Sequence, residues 1–331
     1  MMRAGLIGCG RIGCEFDDDA ARIGIYTHAA AYRVAEGVSL HALADADPVK
    51  LANAAQRYQI PPERCFSSAD AMLAAGGLDL ISIAAPDRFH ADLALKAIAT
   101  PGVRGVLLEK PLALSLDEGR AVVAAAQARG IALAVNYSRR FCPAHARVRA
   151  ALASGELGRV QTVTGFYGKG VRHNGSHWLD LLRHFFGPLA SVQAWPSRAA
   201  AFEGDPSPDL RIVLASGLVA HLQASNHLDY SLFEMDIVAE HGRVQLLESG
   251  HRVIWQRVAD SPYYAGYRLP QLAEVDESGM RDLLLHAVQD LRDAVLAARA
   301  PRCSGEDGLA ALQAAEAACR SLQSGQAEAL P

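Results

Sequence analysis

The N-terminal apolar run Arg3 to Ile7 leads directly into Gly8-Cys9-Gly10-Arg11-Ile12-Gly13. A GxGxxG pattern in that position constrains the fold more than any other feature of the chain. The first glycine permits a tight turn, the second lets backbone approach a pyrophosphate, and the third lets a following helix lie close to the strand. Backbone N–H groups at the start of that helix then face the anion. Glycines are common in ordinary turns, so the pattern alone is weak. Its place after a strand, with the acid Asp45 closing the next apolar run, Leu40 to Ala44, makes it strong.

A carboxylate where Asp45 stands accepts hydrogen bonds from both ribose hydroxyls of a dinucleotide and repels a 2′-phosphate. The residues after it are Ala46, Asp47 and Pro48, with no Arg or Lys among them. NAD is therefore the expected cofactor and NADP the disfavoured one. A turn or cap is the competing role for Asp45, although Asp47 before Pro48 suits a helix cap better. The acid usually follows the glycines by about 20 residues, whereas Asp45 lies 32 after Gly13. The excess, residues 14–27, carries Glu15-Phe16-Asp17-Asp18-Asp19. It reads as an insertion beside the phosphate loop: a solvated acidic loop first, with a lid or an oligomer contact as the other readings.

Further apolar runs lie at Leu78 to Ala84, Val103 to Leu108 and Ile131 to Val135, with helices expected over Pro48 to Tyr58 and Leu116 to Ala128. Continuous apolar strands separated by helices predict a parallel sheet covered on both faces. After Asn136 the pattern changes. A helix is expected over Phe141 to Ala153. Runs of two-residue periodicity follow at Arg159 to Tyr167, Leu210 to Ala215, Leu218 to Ala224, Phe233 to Ala239 and Val244 to Leu247. The breaks Ser216-Gly217 and His241-Gly242 read as hairpin turns, so this sheet is expected to be open and mostly antiparallel. Helices from about Arg281 to Ala297 and Gly308 to Leu322 close the chain. The fold class is α/β, and 331 residues suit two domains, 1–137 and 138–331.

Formal net charge is −4, with acids and bases mixed and no basic stripe, so neither nucleic acid nor a membrane surface is an expected partner. No run reaches the roughly 18 apolar residues of a membrane span. The N-terminus lacks the apolar stretch of a signal peptide. The six cysteines, at 9, 14, 65, 142, 303 and 319, form no CxxC pair or disulfide framework. A cytoplasmic protein with reduced thiols is expected.

Three more segments fall into one order. Ile81-Ser82-Ile83-Ala84-Ala85-Pro86 is followed by His90; Glu109-Lys110-Pro111 ends a strand; and the tail runs Pro301-Arg302-Cys303-Ser304-Gly305-Glu306-Asp307-Gly308. This order resembles the glucose–fructose oxidoreductase, inositol dehydrogenase and rhizopine catabolism (Gfo/Idh/MocA) family, with its IATPxxxH and EKP motifs. The resemblance spans nearly the whole chain. It implies an N-terminal Rossmann domain and a C-terminal α/β domain whose open sheet serves substrate binding and assembly, as a homodimer or homotetramer. The C-terminal helices are expected to lie back on the first domain. The implied chemistry is hydride transfer between NAD(P) and a hydroxyl carbon of a sugar, cyclitol or nucleotide sugar.

Oxidising an alcohol needs a hydride acceptor, a base for the hydroxyl proton, and a cation or donor for the oxygen. Lys110, at a strand's carboxyl end, suits the oxygen-stabilising role, and a buried lysine can also relay a proton. A surface pair with Glu109 is its plain alternative. His173-Asn174-Gly175-Ser176-His177-Trp178-Leu179-Asp180 resembles the family's DxGxHxxD segment at a helix start, which makes His177 the acid/base. Asp180 orients that imidazole or bonds the backbone. The chain departs from the pattern at His173, where the family has Asp; His173 is expected to bind substrate or share the proton relay. A zinc reading of the two histidines fails for want of an HExxH acid, with Gly175 between them, and no metal is expected.

Tyr167, Lys169, Arg172 and Asn174 complete the expected substrate contacts. Lys169 and Arg172 suit a phosphate or carboxylate, or else form a solvated basic loop. The expected cofactor contacts are Gly8, Gly10, Arg11, Ile12, Gly13, Asp45, Ala85, Pro86, His90, Glu109 and Lys110, with His90 supporting the pocket and taking no part in the chemistry. Asn136, Tyr137, Arg139 and Arg140 follow the last strand of the first domain and line the cleft, or Arg140 makes an inter-domain salt bridge. Two other readings of the whole remain: a non-catalytic sensor that binds NAD and sugar, and an enzyme that oxidises transiently and recycles its NAD.

Overall fold

The unalternating apolar runs become the parallel strands of one sheet. In the computed structural model, which describes every residue except Ile23, Ser278 and Gly279, they are β1 (Met2–Ile7), β2 (Val38–Ala44), β3 (Cys65–Phe66), β4 (Leu80–Ile83), β5 (Gly105–Leu108) and β6 (Ala132–Val135). Their spatial order is β3-β2-β1-β4-β5-β6, and every neighbouring pair is parallel. Every residue of β4 and β5 is buried, because helices cover both faces. Strand order reverses between β1 and β4, the switch point at which ligands bind such sheets.

The helices of this region are α1 (His28–Val34), α2 (Pro48–Tyr58), α3 (Ala69–Ala75), α4 (His90–Ala99) and α5 (Leu116–Arg129). Local chemistry starts each of the better defined ones. Thr27 accepts the Ala30 N–H at the head of α1, and Asp47 accepts those of Val49 and Lys50 at α2, with Pro48 in the first turn. Ser115 and Glu118 form a reciprocal capping box on α5.

Next come α6 (Pro143–Ala153), β7 (Val160–Tyr167), α7 (Ser176–Phe186), β8 (Leu189–Trp195), β9 (Asp209–Leu214), β10 (Val219–Ala224), β11 (Phe233–Ala239), β12 (Gly242–Leu247), β13 (Arg252–Asp260) and β14 (Arg268–Asp276). The chain ends in α8 (Leu283–Ala297), α9 (Gly305–Ser324) and β15 (Glu328–Ala329). The second sheet has nine strands in the order β14-β13-β12-β11-β7-β10-β9-β8-β15. It is mixed: only β7 and β10 pair in parallel. Burial alternates strictly along β9, β11 and β12, as a sheet with one covered face requires. Both expected hairpins are present, β9–β10 and β11–β12.

The chain forms two compact units, Met1–Phe141 with Arg281–Leu309, and Cys142–Met280 with Ala310–Pro331. In the first unit α8 lies against β5 and β6, and Ser304 bridges Ala134. Arg140 pairs with Asp307 at 3.0 Å, so its salt bridge lies within this unit and not between units.

Three elements differ from the sequence reading. The helix expected from Phe141 begins at Pro143, behind a 3-10 turn at Ser138–Phe141, because a residue before proline avoids the helical region; Cys142 has ψ 123°. Helices α1, α3 and α4 are additional. So are β8, β13 and β14, the last an exposed strand at the sheet edge whose sequence, RLPQLAEVD, lacks a clean alternation.

Candidate active site

In the first unit the glycine turn leaves the carboxyl end of β1. A side chain at Gly13 would put a Cβ 2.1 Å from the Gly8 carbonyl oxygen, so only glycine lets the two segments meet. Over Gly10 the space is open except for Lys50, whose ammonium lies 3.8 Å from where a Cβ would be. Bare backbone beside a cation is what a pyrophosphate requires, and the cradle fits a dinucleotide. Asp45 stands at its edge. Its Oδ2 accepts the Cys9 N–H (2.6 Å) and its Oδ1 the Asp47 N–H (2.8 Å).

The element after the glycines is unlike the expected helix. Arg11–Glu15 is a five-residue π-helical turn, Phe16–Asp18 a 3-10 turn, and the α-helix begins only at His28. The acids of this inserted segment are also not simply solvated. Asp17 accepts hydrogen bonds from the Thr27 hydroxyl and from Tyr58 (3.2 Å), and Asp18 pairs with Arg57. The guanidinium of Arg22 lies 3.9 Å from the Phe16 ring centre, with Arg11 at 4.9 Å. Ile23, within the segment, lies outside the described residues.

Ala85 and Pro86 follow β4, and Glu109, Lys110 and Pro111 follow β5, with a cis Lys110–Pro111 peptide. His90 is fully buried between these turns. Its Nδ1 lies 2.6 Å from Pro111 O and its Nε2 2.9 Å from Ala85 O, so it ties one motif to the other. Lys110 is half-buried at the strand end. Glu109, expected among the cofactor contacts, points inward instead. Its Oε1 meets His28 Nε2 (2.8 Å) and accepts from Asn136 Nδ2 (2.6 Å). Burial alone would push its carboxyl up; contacts with His28 and Asn136, with the Lys110 charge, outweigh this and hold it below the usual carboxylate range.

In the second unit the expected substrate residues gather on the segment between β7 and α7. Gly170–Gly175 forms a π-helical turn that runs into α7. His173 and Arg172 are exposed; Lys169, Asn174 and His177 are half-buried; Asp180 is buried on α7. Trp178 sets the helix on the sheet. Its indole N–H donates to Glu234 O (2.9 Å), and its ring crosses Gly165, where a Cβ would come within 2.3 Å of it. His177, the adjoining residue, takes its place from that anchor.

Two expectations change here. Tyr167 is sealed in the core, its hydroxyl donating to Pro208 O (2.7 Å) and its phenol pushed well above the ordinary range by burial. It cannot touch substrate as placed. Arg172 is not a loose cation: Glu316 takes it in a two-pronged pair (2.5 and 3.1 Å), and Asp205 lies 3.8 Å away.

Four residues of interest escaped the sequence reading. Asp205 accepts the backbone N–H groups of Arg172 (2.8 Å) and His173 (2.9 Å), so a carboxylate supports the turn that lacks the family's Asp at position 173. Phe202 faces His173 (5.0 Å between ring centres) and His227 (5.5 Å). Lys50 lies one turn past Asp45 and was legible as a cation on the first turn of α2. His28 carried no local signal beyond the capping threonine before it. Among the described residues no group of three potential metal ligands gathers, and no helix is long and apolar enough to cross a membrane.

Comparison with known proteins agrees with this architecture. Residues 2–137 match the family model for the oxidoreductase family with NAD-binding Rossmann fold, and residues 145–245 match the Gfo/Idh/MocA C-terminal domain. The chain is similar to the D-apiose dehydrogenase of Paraburkholderia graminis (28% identical, covering 98% of this chain and 88% of that protein). It is also similar to the inositol 2-dehydrogenase of Rhizobium meliloti (26% identical, 97% of each). In fold it resembles an oxidoreductase from Agrobacterium radiobacter solved with NAD+, L-tartaric acid and magnesium (TM-score 0.81, 21% identical, 99% of this chain and 98% of that one). With both of its sheets and both halves of its sequence accounted for in this way, the chain belongs to the Gfo/Idh/MocA family of oxidoreductases.

Proposed function

We propose that the chain is an NAD-dependent dehydrogenase moving hydride between nicotinamide and a hydroxyl carbon of a sugar, cyclitol or nucleotide sugar. Residues 1–137 hold the dinucleotide and residues 138–331 the substrate, with homodimer or homotetramer assembly through the nine-stranded sheet. The six cysteines form no disulfide, which suits a cytoplasmic setting. The observation that carries the reading is the glycine cradle, flanked by Asp45, in the same sheet whose strand β5 delivers Lys110.

When bound, NAD supplies the hydride acceptor. Asp45 accepts from the ribose hydroxyls, and Lys50 stands beside the pyrophosphate. Lys110 donates to the substrate oxygen and supports the negative charge that develops there. His177 takes the hydroxyl proton, which an imidazole does at working pH. His173 contacts substrate and shares in that transfer, with Lys169 and Asn174 as further contacts. Arg172 contributes through the shape of its turn, since its charge is already matched.

The test is NADH absorbance during incubation of purified protein with NAD and a panel of free sugars, cyclitols, sugar acids and nucleotide sugars. A signal lost in Lys110→Ala supports the reading and names the substrate class. Silence across the panel, with NAD binding demonstrated, turns the assignment toward a sensor or an enzyme that recycles its own NAD.

A further inference from the structure

Behind Glu109 runs a chain of buried contacts with a single direction. A carboxylate only accepts, so His28 Nε2, 2.8 Å from Glu109 Oε1, carries a proton. His28 Nδ1 lies 3.1 Å from Ser82 Oγ, and Ser82 Oγ lies 2.7 Å from the Tyr32 hydroxyl. His28, Ser82 and Tyr32 are each at most 1% exposed. With a neutral imidazole every group is matched: Tyr32 O–H donates to Ser82, Ser82 O–H to His28 Nδ1, and Nε2–H to Glu109. A doubly protonated ring would strand a hydroxyl proton of Ser82 or Tyr32 in apolar surroundings, which costs about 1–3 kcal/mol.

His28 therefore does not cancel the buried charge of Glu109, and Asn136 is neutral. His28 and Lys110 are the titratable groups that act on this carboxylate, and the cation is Lys110. We infer that His28 is a positioning residue: as a neutral donor it keeps Glu109 ionised, and Glu109 in turn holds Lys110 as an ammonium. The inference rests on Lys110 being the group that meets the substrate oxygen. It assigns Lys110 to oxygen stabilisation and leaves proton removal to another residue. It also gives a role to the helix that follows the inserted segment, since α1 begins at His28.

The test reads Lys110 directly and needs no turnover. The chain has four lysines, Lys50, Lys96, Lys110 and Lys169. Reductive 13C-methylation of the full chain gives a few resolvable NMR signals, and Lys110→Arg identifies the one that matters. Its titration is followed without cofactor in wild type, His28→Ala, His28→Gln and Glu109→Gln. An opposite charge nearby is worth about 1–3 pH units. The Lys110 midpoint should fall by about one pH unit or more in Glu109→Gln and in His28→Ala. It should stay nearer wild type in His28→Gln, whose amide still donates. If His28→Ala does not fold, Ser82→Ala takes its place, with a smaller fall in the same direction. A Lys110 midpoint that stays at the wild-type value in Glu109→Gln and in the His28 or Ser82 variant overturns the inference. Where turnover is measurable, the alkaline limb of kcat should move to lower pH in the same variants, with KM for NAD unchanged. Failure of wild type to reduce NAD counts against the proposed function and leaves the titration result standing.

Discussion

The two regions that present ligand-facing side chains are held by different kinds of contact. Around β1, β4 and β5 the positioning is done close to the backbone. Gly13 touches the Gly8 carbonyl, Cys9 N–H meets Asp45, and His90 reaches two main-chain oxygens. On the segment from Gly170 to Asp180 it is done by side chains from distant parts of the sequence. Asp205 props the turn, Glu316 clamps Arg172 from 144 residues away, and Trp178 ties α7 to β11. Backbone contacts restrict which residues fit and so leave a short motif. A clamp between two side chains leaves no mark at either position that reads as a pair.

The largest expected effect tests whether the first region does chemistry at all. Lys110→Ala should lower kcat by about 10²–10³, the usual cost of losing a donor to a developing oxyanion. NAD affinity, followed by fluorescence titration, should hardly change. Retained turnover would remove Lys110 from the mechanism.

A matched pair of glycine substitutions separates the two regions. Gly13→Ala and Gly165→Ala each force an overpacked contact worth about 1–3 kcal/mol, visible as a lower melting temperature. Gly13→Ala should abolish NAD binding, whereas Gly165→Ala should raise KM for substrate and spare NAD. If Gly165→Ala weakens NAD as much as Gly13→Ala does, the division of labour is wrong.

Acid stability sharpens the same contrast. The folded-state pKa of Glu109 is depressed, so its contribution is complete above the unfolded value of about 4.3 and is lost as pH falls through the lower folded value. Denaturant midpoints measured from neutral pH downward should fall less steeply in Glu109→Gln than in wild type. Equal slopes would mean that Glu109 is not held as a carboxylate in the fold.

Asp45→Ser should shift the NAD-to-NADP preference by about tenfold, or about 1.4 kcal/mol, toward NADP. An unchanged ratio of kcat/KM values would make Asp45 a turn residue only. The smallest effect is expected from Tyr167→Phe: about 1 kcal/mol of stability for the hydroxyl bonded to Pro208 O, with KM for substrate unaltered. A raised KM would return Tyr167 to the substrate site.

Much of this molecule was legible before any coordinates. Unalternating runs marked the parallel strands, and two-residue alternation marked β7 and β9 to β12. GxGxxG, Asp45, AAP, His90 and EKP fell into a recognisable order. The strands that escaped were those where burial could not write a pattern. Nearly all of β14 is exposed, so nothing selects apolar residues on one face. Helix α1 escaped because the inserted segment moved it away from the glycine loop that normally announces it.

Sequence by itself thus determined the fold class, the cofactor cradle and the identities of Lys110 and His177, because each follows from periodicity or from contacts within a few residues. Tertiary structure alone decided that Tyr167 is core, that Arg172 is already paired, and that Asp205 supports the turn carrying His173. It also decided that His28 stands behind Glu109 across 81 residues of chain. The reason is physical: burial and charge pairing depend on which surfaces meet in space, and a residue's neighbours along the chain do not record that meeting.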